Sequence, residues 1–366
     1  MLRATSRLFA AALATSALMT GAIAQERVVN VYNWSDYVGE GVLDDFTKAT
    51  GIKVVYDVYD SMEILEAKVV AGNSGYDIVV PTDRNLARLI QVASAIQPLD
   101  KSKIPNLAHQ WDAINQRLET YDPGTEHSTN YMWGTTGIGY NVAKVKEIMP
   151  DAPLDSWAII FKPEILEKFK DCGVQLLDSP DDIFPAALAY LGLPPDSKEQ
   201  GDLDKAAELI KAIVPYLQKF HSSEYINGLA NGDLCIAVGY SGDILQARDR
   251  ATEAANGVEV GYSIPKEGAL MWLDSFAVLA DAPHPEEAFA FINFMLDPEI
   301  AARNSNYLYY ANGNKDSQKF LQEDVRGDPA IYPPKETFDK LFTTTPNDFR
   351  VQRVVTRLWS SITTGG

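Results

Sequence analysis

Cysteine is scarce in this 366-residue chain: there are two, Cys172 and Cys235. Histidine is nearly as rare, with four residues and none clustered with a cysteine, which disfavours a Cys/His metal centre. An even cysteine count in an exported chain favours pairing. The two positions are 63 apart, and closing a loop of that length corresponds to about 4 kcal/mol in the chain-entropy model. Basic charge is also short, with 32 Lys and Arg against 50 Asp and Glu and a net charge of −18. Such a surface disfavours nucleic acid and anionic lipid and draws cations inward. It is common among secreted proteins, so by itself the sign says little about a ligand. Beyond the first residues no apolar run is long enough to cross a bilayer. Internal repeats and low-complexity tracts are absent.

The beginning of the chain reads as a leader. Arg3 and Arg7 make a basic start, an alanine-rich apolar stretch follows, and Ala22-Ile23-Ala24 has the small-x-small form of a cleavage site. Removing residues 1–24 takes 24 of 366 residues and leaves 342, with two positive charges lost and the net moving from −18 to −20. That length suits two lobes better than one core. The mature chain is expected to be soluble and exported.

Strand and helix patterns alternate from residue 28. Strands are predicted over 28–32, 52–59 and 76–80, with helices over 41–50, 60–71 and 85–93. Asp60 and Glu63 have capping-box spacing at the second helix. This order implies a parallel sheet with crossovers. The run Tyr131-Met-Trp-Gly-Thr-Thr-Gly-Ile-Gly-Tyr-Asn141 is extended and glycine-punctuated, as a hinged crossing between lobes would be. Helices are then expected over 163–170, 180–191, 202–217 and 220–230, and strands over 173–177 and 233–239. Segments 258–264 and 271–279 read as a return to the first lobe. Helices at 285–296, 298–304, 335–342 and 349–362 complete the chain. The expected fold class is therefore α/β, two lobes each with a mixed, mainly parallel sheet flanked by helices. The predicted division is 25–134 plus 251–315 for lobe 1, and 135–250 plus 316–366, with the C-terminal helices, for lobe 2.

Acidic, hydroxyl and aromatic side chains gather in several short stretches at element ends. Asn33-Trp34-Ser35-Asp36-Tyr37 ends the first strand, and strand ends in open α/β sheets are where ligands sit. A duller reading makes Asp36 or Ser35 a helix cap and Trp34 rim packing. Thr82 and Asp83 end another strand on the same edge. Tyr240-Ser241-Gly242-Asp243 ends a third. Trp272 and Asp274 share one face by strand periodicity. Tyr307-Leu-Tyr-Tyr310 adds phenols. Carboxylates beside ring faces suit an ammonium ion, and an interlobe cleft is a standard place for such a site.

These stretches resemble the periplasmic polyamine-binding proteins of ABC importers, most closely the putrescine-binding branch. The resemblance runs over nearly the whole mature chain. It is carried by Tyr32-Asn-Trp-Ser-Asp-Tyr37, Gly51-Ile-Lys-Val-Val-Tyr-Asp57, Tyr131 to Asn141, Phe220-His-Ser-Ser-Glu-Tyr-Ile-Asn227, Ser263-Ile-Pro-Lys-Glu-Gly268 and Ile331-Tyr-Pro-Pro334. It implies a two-lobed type II binding-protein fold that closes on its ligand. By the same resemblance Trp34, Ser35, Asp36 and Tyr37 form a first contact segment, and Ser222 is a hydroxyl contact from the second lobe. Asp243 and Asp274 hold one ammonium, Trp272 and Tyr310 wall the methylene chain, and Asp181 lies near the far amine. Cys172 and Cys235 match the family's disulfide. Thr82 stands where a Ser is usual, Tyr240 where a Trp is usual, and Asp181 where a Glu is usual, which opens the question of preferred ligand length.

The resemblance implies capture of putrescine or a related polyamine and delivery to the permease subunits of an ABC transporter. No cofactor, no metal and no nucleic acid are expected, and the protein is expected to be a monomer without enzymatic activity. Three other readings compete. Two carboxylates in a cleft suit a hydrolase, although no nucleophile motif accompanies them. Adjacent Tyr309 and Tyr310 suit a ferric ion. A polyamine sensor for a membrane receptor would keep the ligand and change the output.

Overall fold

The computed structural model describes residues 26–364 except residue 92, so the expected leader lies outside the described residues. Among the described residues no helix is long and apolar enough to cross a membrane.

Alternating burial builds the first strand. In β1 (Val28–Trp34) Val29 and Val31 are fully buried while Val28 and Asn30 face partly outward. This strand pairs in parallel with β2 (Lys53–Tyr59) and β3 (Ile78–Val79), as the strand-helix-strand reading requires. The intervening helices are Val42–Thr50 and Met62–Val70. The second helix is capped by Ser61, which accepts the Ile64 N–H at 3.3 Å, and not by the predicted Asp60. A capping side chain must reach the N2 or N3 amide, and Ser61 immediately precedes the first helical residue.

One strand organises everything else. β4 (Ser128–Asn141) runs 14 residues through the middle of the molecule. Its residues 128–135 pair with β9 (Met271–Val278), which in turn pairs with β3. From Thr136 onward β4 changes partners, lying antiparallel to β7 (Ile236–Tyr240) and β8 (Val260–Ser263). Next to β7 come β5 (Val174–Leu176) and β6 (Lys219–Phe220), both parallel. A short β10 (Ala311–Asn312) joins β4 at Met132 and Trp133. The spatial order is β2-β1-β3-β9-β4-β7-β5-β6.

Several expectations are corrected by this arrangement. Residues 258–264 do not rejoin the first half: β8 pairs with the second half of β4, and the chain returns only at β9. Phe220 belongs to a strand, and the helix there begins at Tyr225. The helix predicted to reach 217 ends at Ile213 and passes into a short 3-10 turn containing Pro215. Helices Asp112–Leu118 and Val142–Ile148 were not foreseen. Gly134, Gly137 and Gly139 of β4 are not among the positive-φ residues, so no left-handed backbone requires glycine there. They serve close approach instead: a Cβ on Gly134 would lie 2.3 Å from the Trp272 ring.

Hydrophobic packing follows the same division. One core, including Trp157, Phe161, Phe169, Tyr225 and Trp359, underlies β5–β8. Others pack Phe46, Phe276 and Phe291, or Trp133 and Met271, around β1, β9 and the first half of β4. The segment over 316–342 belongs with this first group through Leu321, Val325, Ile331 and Leu341. The expected disulfide is present between Cys172 and Cys235, with Cα atoms 5.4 Å apart.

Candidate functional site

Asp274 lies in the middle of β9, between β3 and the first half of β4, and it is 5% exposed. A bulge in β4 between Asn130 and Met132 sits opposite it. The Asn130 side-chain amide donates to the carbonyls of both Met132 (2.9 Å) and Asp274 (3.1 Å), which fixes the backbone of the aspartate. The Thr82 hydroxyl donates to Asp274 Oδ1 at 2.6 Å, and the Tyr37 hydroxyl donates to Oδ2 at 2.8 Å. Burial pushes the carboxyl up to about 7, a shift that these two donors oppose and the charge of Asp83 reinforces.

A second carboxylate is held in the same manner. β7 ends at Tyr240, and the helix Ser241–Glu253 follows at once, so Asp243 falls in its first turn, where the helix dipole favours an anion. The Tyr310 hydroxyl donates to Asp243 Oδ1 at 2.6 Å and accepts the Asp243 N–H at 3.2 Å. The Tyr225 hydroxyl donates to Oδ2 at 2.8 Å and accepts the Tyr240 N–H. Here too desolvation raises the carboxyl, against the two phenol hydrogen bonds and the distant charge of Arg250. Among the described residues, neither Asp243 nor Asp274 forms an ion pair with a Lys or Arg (the pairs formed nearby, by Arg84, go to Asp83 and Asp181). Neutral hydroxyls satisfy both anions without neutralising them.

Aromatic rings connect the two. The ring centroids of Tyr37 and Tyr310 are 5.8 Å apart, those of Trp272 and Tyr310 5.2 Å, and those of Tyr240 and Trp272 6.0 Å, all edge to face. Trp272 fits because Gly134 offers no side chain beneath its indole, and Tyr310 because Gly242 offers none beneath the phenol. Trp34 packs on Tyr59 at 4.8 Å. Ser35 donates weakly to the Tyr59 carbonyl at 3.3 Å.

Thus Tyr37, Thr82, Tyr240, Asp243, Trp272, Asp274 and Tyr310 converge. Trp34 packs against the hydrophobic cluster that holds Tyr37, Trp272 and Tyr310, while among the described residues the other predicted side chains make no hydrogen bond to these seven. Ser35 and Asp36 are exposed in the turn after β1, with Asp36 at φ 51°. Ser222 is partly buried in the turn after β6, and its hydroxyl makes no hydrogen bond among the described residues. Asp181 is 44% exposed at the start of the helix Pro180–Tyr190 and faces Arg84.

The buried acid at that end is its neighbour Asp182, which sequence reasoning missed. It accepts from Thr136 at 2.6 Å, from Ser179 at 2.6 Å and from Tyr240 at 3.4 Å. Desolvation raises its carboxyl. Its signal was available: Ser179 and Asp182 have N-cap to N3 spacing, which turns Asp182 inward over the helix end. Tyr225 and Asn130 carried no comparable signal. A ferric reading fails on geometry, because Tyr309 turns to Asp249 at φ 57° while Tyr310 donates to Asp243. Burial also keeps the Tyr310 phenol protonated.

The profile of bacterial extracellular solute-binding proteins matches residues 41–333 of this chain. A putrescine-binding periplasmic protein of Pseudomonas aeruginosa is 50% identical over 366 residues, the full length of both chains. A putrescine-binding periplasmic protein of Escherichia coli is 46% identical over 344 residues, 93% of each. Among solved structures, a spermidine/putrescine ABC transporter substrate-binding protein from Streptococcus pneumoniae matches with a TM-score of 0.79 at 27% identity, covering 92% of this chain and 99% of that one. A putative spermidine/putrescine ABC transporter from Listeria monocytogenes gives 0.80 at 28%, covering 93% and 100%.

Proposed function

The chain belongs to the bacterial extracellular solute-binding proteins, and we propose that it captures putrescine or a closely related polyamine in the periplasm and delivers it to the permease of an ABC transporter. The observation that carries this reading is the pair Asp243 and Asp274, desolvated, held by phenols and a hydroxyl, and without a cation of the protein's own. Two uncompensated carboxylates beside aromatic rings are costly to keep unless a ligand cation relieves them. A diamine at neutral pH is two ammonium ions joined by an apolar tether. An ammonium on a desolvated ring contributes about 0.5–2 kcal/mol, and the charge-assisted hydrogen bonds to carboxylate are stronger still.

In this reading Asp243 and Asp274 take one ammonium, while Trp272, Tyr310, Tyr240 and Tyr37 enclose the methylenes. Thr82 orients Asp274. Trp34, Ser35, Asp36, Ser222 and Asp181 approach the ligand as the lobes close. The lobe division that suits the strand pairing and packing is residues 26–135 with about 265–342 on one side, and 136–264 with the C-terminal helix on the other. The relatives named above are binding proteins, which supports a carrier role in place of catalysis.

A thermal-shift panel on refolded, ligand-stripped protein tests the proposal. Diamines and polyamines are expected to raise the melting temperature, and neutral sugars and zwitterionic amino acids to leave it unchanged. Stabilisation by a sugar or an amino acid with no response to any polyamine would overturn it.

A further inference from the structure

Among the described residues Asp243 and Asp274 pair with no cation of the protein's own, but the acids beyond Tyr240 do. Arg84 lies two residues after Thr82, at the start of the helix Asp83–Gln91. Its side chain is 17% exposed and reaches across to the other half of the molecule. Nη1 donates to the Asp181 carbonyl at 3.1 Å and to the Thr344 hydroxyl at 3.0 Å. Nη1 is also 4.0 Å from Asp181 Oδ1, and Nε is 3.8 Å from Asp83 Oδ1. Asp83 is buried and accepts the N–H of Leu273, next to Asp274. Asp182 bonds the Tyr240 hydroxyl, and that ring abuts Trp272. The guanidinium therefore stands among three aspartates at the end of the aromatic wall.

We propose that Arg84 sets how many positive charges the cleft accepts, occupying the acidic end as a built-in cation so that diamines bind and triamines are turned away. This rests on the polyamine reading above. Without a cation there, the buried Asp83 and Asp182 would form a further anionic subsite beyond the rings, suited to the extra ammonium of a longer amine. With Arg84 present, that ammonium meets a like charge. Lysine in such a place could shed its proton, whereas a guanidinium cannot, so the repulsion persists at every working pH. A repulsive group aimed at the wrong ligand is an effective route to discrimination, and fixed like charges a few ångströms apart in a poorly screened cleft cost a factor of about ten or more in binding.

Calorimetric titration of the full chain with putrescine and with spermidine tests this, using wild type, Arg84→Gln, Arg84→Lys and Thr344→Val. Wild type is expected to bind putrescine at least about tenfold more tightly than spermidine, or about 1.4 kcal/mol. In Arg84→Gln the ratio should shift toward spermidine by about tenfold, while putrescine affinity changes by less than about threefold. Arg84→Lys should retain much of the discrimination. Thr344→Val, which removes a hydrogen bond and keeps the charge, should leave the ratio unchanged. Equal affinities in wild type would overturn the inference with no variant needed. So would an equal loss for both ligands in Arg84→Gln, the mark of a purely structural brace. A wild-type protein that binds neither amine sinks the polyamine reading itself, and a wild-type protein that binds both alike sinks only the role of Arg84.

Discussion

At the scale of single residues, the decisive feature is a carboxylate solvated by hydroxyls alone. Asp274 titrates near 7 in the ligand-free protein because burial disfavours its charge. A bound ammonium favours that charge, so affinity for a diamine should fall as pH drops through about 7, approaching tenfold per unit below it. Binding at pH 7 should release a fraction of a proton, visible by calorimetry in buffers of different ionisation enthalpy. Stability has the matching sign. Between about pH 4, where an unfolded aspartate titrates, and about pH 7, the folded chain keeps a proton that the unfolded chain has lost. The contribution of Asp274 to stability is therefore lost as pH rises across that window. Relative to wild type, ligand-free Asp274→Asn should gain in melting temperature from pH 4 to pH 7, and a flat difference would contradict the shift. For binding, Asp274→Asn or Asp243→Asn should weaken diamine affinity by about a hundredfold or more at pH 8, since the ligand cation loses its partner in a desolvated place. Tyr310→Phe removes one hydroxyl from Asp243 and keeps the ring, so a loss below about tenfold is expected. Near-native affinity in both Asp variants would refute the assignment.

At the scale of elements, β4 shows why a pattern can be recognised before its purpose is. Its extended, glycine-rich character is legible in the sequence, and the close packing that its glycines permit is not. In the structure Gly134 is a gap that the Trp272 indole fills, and Gly242 is a gap for Tyr310. Periodicity cannot reveal this, because the partner ring comes from more than 60 residues away. Gly134→Ala should push Trp272 off its seat, costing about 1–3 kcal/mol of stability and weakening diamine binding together. Gly242→Ala should act in the same way through Tyr310. A melting temperature and affinity both within error of wild type would show that the rings move freely. The 181/182 position is an element-scale lesson as well. A helix start presents successive side chains about 100° apart. The resemblance picked Asp181, and the cap geometry turned Asp182 toward Thr136 and Tyr240.

At the scale of the whole molecule, two halves share one strand, and the residues of the proposed site come from both. Tyr37, Thr82, Trp272, Asp274 and Tyr310 belong to the half built on β1, β3 and β9. Tyr225, Tyr240 and Asp243 belong to the half built on β5 and β7. The Cys172–Cys235 bridge lies wholly in the second of these and is not hydrogen-bonded to either carboxylate. Replacing both cysteines by serine should cost about 2–4 kcal/mol in denaturant unfolding, with diamine affinity within about threefold of wild type. A large loss of affinity would instead tie the bridge to the cleft.

The sequence alone determined the α/β class, the order of most strands, the pairing of the two cysteines and the acid-and-aromatic character of the stretches that converge. Each of these rests on local periodicity, on counting, or on long stretches shared with a known family. Only the tertiary structure decided that β8 stays with the second half, that Asp182 is the buried acid, that Tyr225 and Asn130 support the two carboxylates, and that Arg84 spans the division. Those facts depend on which distant segments become neighbours when β4 changes partners at Thr136. Side-chain chemistry is written residue by residue, but the charge balance of a cleft is a property of what packs beside what.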